Sequence, residues 1–118
     1  MSSSSQLSLE VRREGDSAVV VARGDIDLAS LPKATAALDG ARAGARSVVL
    51  DLREVGFMDT SGLRLIIEEQ RRAAATGYHF AVIRGPRRVQ RLLEIAGLSG
   101  EDDLFVDAPP DAAGGRGA

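Results

Sequence analysis

The sequence predicts an α/β fold in which a mixed sheet of about five strands carries helices packed on it. Short runs rich in apolar and β-branched residues alternate along the chain with segments whose apolar residues recur at helical spacing. The first two runs are separated only by Glu14-Gly15-Asp16, which predicts a hairpin. Strands that alternate with helices imply right-handed crossovers and a largely parallel or mixed sheet. The predicted element order is ββαβαβαβ.

The first half of the chain predicts the hairpin, one helix and a central strand. The hairpin strands are Leu7–Val11, which alternates apolar and polar residues, and Ala18–Ala22. Ser30 as N-cap and Gly44 beyond the end bound a helix of about thirteen residues. Its apolar positions are Leu31, Ala34, Leu38 and Ala41. The run Ser47–Leu52 is typical of a strand covered on both faces.

The second half predicts two more helices and two more strands. An amphipathic helix with Leu63, Ile66 and Ile67 on its apolar face ends near Thr76-Gly77. Strands follow at 80–83 and 104–106, and the helix between them is opened by Pro86 and closed by Gly97.

The length of 118 residues fits one domain. Residues 1–6 are serine-rich and residues 108–118 are rich in proline and glycine, so we expect disordered tails around a domain at 7–107.

Composition excludes several classes of function. No apolar run approaches the ~20 residues of a membrane span, and the N-terminus lacks the features of a secretory signal, so we expect a cytoplasmic protein with no membrane insertion. Zero cysteines and one histidine leave no metal site or cofactor to expect. A net charge of −2 and only three Phe and one Tyr argue against nucleic-acid binding.

Two loops are predicted at the carboxyl ends of strands, where α/β sheets tend to bind ligands and partners. One is Gly24–Asp27 and the other is Phe57–Leu63. Asp59, Thr60 and Ser61 are all candidate caps for the second helix. A hydroxyl at a helix N-terminus also suits a phosphate, because free N–H groups and the helix dipole favour an anion. Gly62 is expected to let a partner backbone or a phosphate approach closely.

Two catalytic interpretations fit poorly. Use of Ser61 in hydrolysis lacks a G-x-S-x-G motif, and His79 is the only candidate base. A receiver domain would use Asp51 or Asp59 as phosphoacceptor, but it also needs an early acidic pair and a late lysine. The only lysine is Lys33, in the first predicted helix. We therefore expect a protein that is not an enzyme.

The chain resembles the STAS domain family, which is shared by anti-sigma factor antagonists and the cytoplasmic tails of sulphate transporters. The motifs that carry the resemblance are Gly24-Asp25-Ile26-Asp27, Val49-Leu50-Asp51-Leu52, Phe57-Met58-Asp59-Thr60-Ser61-Gly62-Leu63 and Ala96-Gly97-Leu98. Of these, the string from Asp59 to Leu63 is the most specific. STAS chains commonly end in another helix after the last strand, which is missing or short in this sequence.

The resemblance implies a stand-alone anti-sigma factor antagonist that works by partner switching. Unphosphorylated, it would bind an anti-sigma factor of the histidine-kinase-like ATPase class and release a sigma factor, as in transcriptional stress responses. Phosphorylation of Ser61 by that partner would end the complex, and a PP2C-type phosphatase would reset it; Thr60 is the less favoured acceptor. The implied partner-binding residues are Asp25, Asp27, Met58, Asp59, Thr60, Ser61, Gly62, Leu63 and Arg64.

Two other functions remain open for the same fold. The chain could be the STAS regulatory subunit of a membrane lipid ABC transporter, with the same loop docked on an ATPase. A scaffold component of a stressosome-type assembly is the third interpretation, and it predicts a large particle. The antagonist is expected to be a monomer or weak dimer.

Overall fold

The computed structural model describes residues 6–98 and 104–108, and these form the elements predicted from the sequence. Their order is β1 (Leu7–Glu14), β2 (Ser17–Ile26), α1 (Leu31–Arg42), β3 (Ser47–Met58), α2 (Thr60–Thr76), β4 (His79–Ile83), α3 (Arg87–Ile95) and β5 (Phe105–Val106). The predicted order ββαβαβαβ is confirmed.

The strands lie in the sheet in the same order as in the chain, β1-β2-β3-β4-β5. β1 and β2 form an antiparallel hairpin, and the pairs β2–β3, β3–β4 and β4–β5 are parallel. Because right-handed crossovers that step repeatedly in one direction place their helices on one side, α1, α2 and α3 share one face of the sheet.

The main core lies between that face and the helices. Val20, Leu50 and Val82 project from neighbouring strands into this core, where they meet Leu38 of α1 and Ile66 of α2. The opposite face buries a smaller apolar cluster, which consists of Val19, Val21, Val49, Ala81 and Ile83. The prediction that the central strand is buried on both faces is therefore confirmed.

The two segments predicted as loops are partly strand, which corrects the sequence-based boundaries. β2 continues through Gly24 to Ile26, and β3 continues through Phe57 to Met58. Asp25 pairs with Phe57 and Ile26 with Met58, after register shifts that make this end of the β2–β3 ladder irregular. The polar residues do not end the strands, because each strand supplies the other with backbone partners.

Gly24 is required by a close backbone approach within this irregular stretch. Its φ is +112°, and a Cβ there would lie 2.1 Å from the carbonyl oxygen of Gln6. No other residue type fits such a position without displacing the backbone.

The helix termini mostly follow the predicted signals. α2 ends at Gly77, whose φ is +97° and whose N–H donates to the carbonyl of Ala73. α3 begins after Pro86 and is followed by Gly97 at φ +98°. Ser30 lies at the N-cap position of α1 as predicted, but its side chain makes no capping hydrogen bond to that helix.

The predicted tails, 1–6 and 108–118, lie outside the described residues except for Gln6 and Ala108. The prediction that a final helix is missing or short falls mainly on that undescribed part.

A polar network ties α1 and α2 to the start of β4. The guanidinium of Arg42 contacts both carboxylate oxygens of the buried Glu69, with N–O distances of 3.0 and 3.1 Å. The hydroxyl of Tyr78 donates a short hydrogen bond to the same carboxylate. Glu69 is thus paired with a charge and a hydroxyl, as a buried carboxylate must be.

The hydroxyl of Tyr78 should report on this network. Burial and the hydrogen bond to Glu69 raise the pKa of Tyr78 to about 12, against about 10 in an unfolded chain. A raised pKa in the folded state means that the network stabilises the fold fully below pH ~10 and that this contribution is lost between pH ~10 and ~12. Since the chain has one tyrosine and no tryptophan, tyrosinate absorbance measures this titration directly. If the Tyr78 hydroxyl titrates with a midpoint near pH 10 while circular dichroism still shows folded protein, the hydrogen bond between Tyr78 and Glu69 is contradicted.

Two glycine substitutions should have opposite effects on the free energy of unfolding. We expect Gly24→Ala to destabilise the protein by at least about 2 kcal/mol, through backbone strain and overlap with Gln6. Gly40 lies inside α1, and a Cβ added there would have no atom of another part of the molecule within 4 Å. Gly40→Ala should therefore stabilise the protein by about 0.5–1 kcal/mol. Urea denaturation of the two variants provides the measurement.

Candidate functional site

The first turn of α2 is organised by Asp59. Its Oδ1 accepts a hydrogen bond from the backbone N–H of Ser61 at 2.7 Å, and its extended backbone (φ −108°, ψ −169°) is that of an N-cap residue. Of the three candidate caps, Asp59 is therefore the one that acts, which leaves the Thr60 and Ser61 hydroxyls for other contacts.

A backbone hydrogen bond joins this helix start to the end of β2. The N–H of Asp59 donates to the carbonyl of Ile26 at 3.1 Å. Ile26 pairs with Met58, so Asp27 and Asp59 each follow one residue after a paired position. The structure therefore brings the two predicted segments together at the carboxyl edge of the sheet.

The segment after β2 is held by Ser30, which is buried. The Ser30 N–H donates to Oδ1 of Asp27, and the Asp27 N–H donates to the Ser30 hydroxyl oxygen, both at 3.0 Å. The Ser30 hydroxyl donates in turn to the carbonyl of Asp25 at 2.9 Å. This ring of bonds fixes the loop, and it explains why Ser30 does not cap α1.

The two candidate acceptors differ in exposure. Thr60 is exposed and Ser61 is half-buried. Within residues 6–98 and 104–108, neither hydroxyl makes a hydrogen bond to the protein. The Ser61 hydroxyl is thus held on a fixed backbone beside the Asp59 carboxylate and is available for chemistry from outside.

Gly62 and Met58 support this surface from below. Both are buried, and a Cβ on Gly62 would lie 2.6 Å from Cγ of Met58 and 3.0 Å from Cγ2 of Ile26. The glycine is needed because α2 packs closely on the ends of β2 and β3.

Two exposed apolar side chains lie in the segments that meet here and were not predicted as partner-binding residues. Leu28 is 72% exposed and Phe57 is 45% exposed. Leu28 directly follows Asp27 and Phe57 precedes Met58, so both belong to the segments that meet at this edge. An apolar residue beside turn-forming polar residues was the sequence signal for each.

The exposed side of α2 continues the surface as a shallow groove of about 350 Å³. Its lining consists of Thr60, Leu63, Arg64, Ile67, Glu68 and Arg71. Leu63 and Arg64, two of the predicted partner-binding residues, lie here. The groove combines apolar and charged side chains, the mixture found at protein interfaces.

Asp51 is a structural carboxylate. It is 3% exposed and accepts hydrogen bonds from the backbone and guanidinium of Arg53, at 3.0 Å and at 2.8 and 3.1 Å. Burial would raise the pKa of Asp51, but the hydrogen bonds from Arg53 outweigh it and hold that pKa below its usual value.

The part of the chain that the structure describes contains no cluster of three or more His, Cys, Asp or Glu that could hold a metal ion. None of its helices is long and apolar enough to cross a membrane.

Comparison with known protein families identifies the family of this chain. The family model described as "Mlab, STAS domain" matches residues 9–107. The chain belongs to the STAS domain family. The expected family is thereby confirmed over nearly the whole chain.

Solved structures share the fold of this STAS domain. An anti-sigma factor antagonist from Mycobacterium paratuberculosis superposes with a TM-score of 0.80 at 21% identity, over 98% of this chain and 97% of that one. The unphosphorylated antagonist SpoIIAA gives 0.75 at 18% identity, over 92% and 95%. Phosphorylated Bacillus SpoIIAA gives 0.71 at 17% identity, over 92% and 98%. Among curated proteins there is no match.

The capping role of Asp59 can be separated from its charge. Asp59→Ala removes the acceptor for the Ser61 N–H and should cost about 0.5–2 kcal/mol of folding stability. Asp59→Asn keeps an acceptor at the same position and should stay within about 0.5 kcal/mol of the wild type, since Asn and Asp cap almost equally well. Chemical denaturation compares the two. Equal losses in both variants would mean that the carboxylate charge, and not the cap, is what stabilises α2.

Proposed function

We propose that this STAS domain is an anti-sigma factor antagonist whose binding surface is switched by phosphorylation of Ser61. The observation that carries the proposal is the setting of Ser61. Its hydroxyl is unbonded within the described residues, stands in the first turn of α2, and lies next to the acidic cap Asp59 on the surface formed with the end of β2.

The electrostatics of this position suit a switch. A phosphate adds about −1.5 to −2 charges at neutral pH, and on Ser61 it would lie beside Asp59 and close to Asp27. The N-terminus of α2 favours an anion, so the helix tolerates the modification. Phosphorylation therefore changes the charge and size of the surface while the fold persists.

The surroundings of Ser61 suit a protein partner. Leu28 and Phe57 expose apolar area in the two segments that meet here, and Leu63, Arg64 and Ile67 line the groove along α2. Apolar side chains within a polar rim are typical of the core of an interface. A dianion placed among them without a cation to pair it would carry a high desolvation cost in a complex.

The partner implied by the STAS resemblance is an anti-sigma factor of the histidine-kinase-like ATPase class. Unphosphorylated protein would bind it and free the sigma factor. The same partner would phosphorylate Ser61 with ATP, and a PP2C-type phosphatase would remove the phosphate. The chain would act in the cytoplasm as substrate and binding module without chemistry of its own. Thr60, exposed one residue earlier, is the second candidate acceptor.

A second candidate function is that of a STAS regulatory subunit of a membrane lipid ABC transporter. The matching family model carries the name Mlab and not that of an antagonist, and the same mixed surface would suit an ATPase subunit. Stressosome-type scaffolding would instead require a large assembly. The identity of the captured partner separates these functions.

Ser61 substitutions test the switch. Ser61→Ala keeps the N–H that Asp59 accepts and should bind the partner like wild type, but it should no longer take up phosphate. Ser61→Asp places an unpaired carboxylate in the interface, and the cost of desolvating it in the complex should weaken binding by about 100-fold or more. Partners captured from lysate by Ser61→Ala are identified by mass spectrometry, and their affinities are measured by biolayer interferometry.

Thr60→Ala and Thr60→Asp serve as matched controls one residue away. Intact-mass analysis after incubation with the captured kinase and ATP should show one phosphate on wild type and on Thr60→Ala. Phosphate retained on Ser61→Ala, together with tight binding by Ser61→Asp, would refute the switch. Capture of a transport ATPase in place of an anti-sigma factor would replace the antagonist with the second function.

A further inference from the structure

The outer side of β1 is an open strand edge. β1 is the first strand of the sheet and, among the described residues, pairs only with β2. In an antiparallel pair the N–H and C=O groups of alternate residues point to the neighbouring strand. The carbonyl of Gln6 accepts from the N–H of Asp25, so even-numbered residues face β2 and odd-numbered residues face outward. Strand edges of this kind are templates for pairing with another chain.

The side chain of Lys33 closes the N-terminal end of this edge and leaves the rest open. The Leu7 carbonyl, which points outward, accepts from Nζ of Lys33 at 2.7 Å. At the other end the guanidinium of Arg13 reaches over to the carbonyl of Gly40 at 2.6 Å. Between them Val11 is 41% exposed, and its backbone N–H and C=O point away from β2. The free part of the edge is therefore centred on Val11.

We propose that two copies of this chain associate through β1, antiparallel, about a two-fold axis that passes through Val11. In this register Val11 is opposite Val11 of the second copy, and Leu9 is opposite Arg13. The backbone N–H and C=O groups of all three residues point away from β2, so each pair can exchange two backbone hydrogen bonds. The two sheets then continue as one.

Charge selects this register over its neighbours. Within each copy Glu10 forms ion pairs with Arg12 and Arg23. With Val11 on the axis, Glu10 of each copy also stands opposite Arg12 of the other, a favourable cross-strand pair. If the two-fold axis moves one residue toward the N-terminus, Glu10 of one copy stands opposite Glu10 of the other. If the axis moves one residue toward the C-terminus, Arg12 of one copy stands opposite Arg12 of the other. Like charges directly opposite destabilise a strand pair. Registers that place an odd-numbered residue opposite an even-numbered one fail because the backbone donors and acceptors of the two strands no longer face each other.

The second copy is the occupant that the charges favour, because the strand is complementary to itself and the contact closes after two copies. The neighbouring surface adds little bulk, since Gly40 of α1 and Ala43 directly after it, whose carbonyls accept hydrogen bonds from Arg13, are exposed and small. A contact of one short strand pair lies at the small end of interface sizes. We therefore expect a weak dimer, with Kd on the order of 10–100 μM.

Sedimentation velocity over a wide concentration range tests the association. The wild type should shift from monomer to dimer as its concentration rises to about 1 mM, as the expected Kd requires. Val11→Lys puts two ammonium groups on the axis and should raise Kd at least about tenfold. Ile95→Lys is the matched control, because Ile95 is 76% exposed on α3 and the same apolar-to-lysine change there should leave Kd unchanged. Urea midpoints show that both variants fold.

A cysteine variant tests the register, since the chain has no cysteine of its own. Val11→Cys places two Cα atoms about 5.5 Å apart in the proposed pair, within disulfide range. In either neighbouring register they are about 8 Å apart, beyond that range. Under mild oxidation Val11→Cys should cross-link at least about tenfold faster than Ser8→Cys, an exposed control on the same strand.

Reversal of the charges completes the test. Glu10→Arg should weaken the dimer, and Glu10→Arg combined with Arg12→Glu should restore it, because the opposite charges again face each other. A wild type that stays monomeric to about 1 mM overturns the proposal, whether the edge is then free or taken by a peptide of another protein. Equal cross-linking rates of the two cysteine variants overturn it as well.

Discussion

The parallel pairing of β2 with β3 beyond the end of β4 is the constraint on which the site depends. β4 accompanies β3 only as far as Asp51, whereas β2 follows it to Met58. The two strands therefore extend past β4, with β1 beside β2 as far as Gly24, and they end as a two-stranded ribbon. The hydrogen bond from the Asp59 N–H to the Ile26 carbonyl closes that ribbon and directs the chain into α2. Without this pairing the two acidic segments would not share a surface.

The register shifts near the end of the β2–β3 ladder also shape the site. The register shifts after Val21 and Gly24 turn the strand so that its polar end faces outward. Gly24 makes this possible through its positive φ and its contact with the Gln6 backbone. Gly62 plays the corresponding part on the helix side, where Met58 and Ile26 leave no space for a Cβ. Both glycines thus fix the shape of the site from inside.

Features encoded within a few residues were predictable from the sequence. The hairpin turn, the end of α2 at Gly77 and the acidic cap Asp59 all depend on local backbone chemistry. Features that depend on distant partners were not. Gly24–Ile26 forms strand only because β3, which follows α1 in the chain, lies beside it. The burial of Gly62 likewise depends in part on Ile26 of β2, which is remote in sequence.

The strand order, which is the order of the chain itself, has a consequence for how the molecule is made. Each strand joins the sheet beside the one synthesised just before it, so no late segment must insert between strands already in place. Each crossover then joins neighbouring strands, so the loop that must close at each step is short. A nascent chain can thus complete β1, β2, α1 and β3 before β4 leaves the ribosome, adding one unit at a time from the N-terminus.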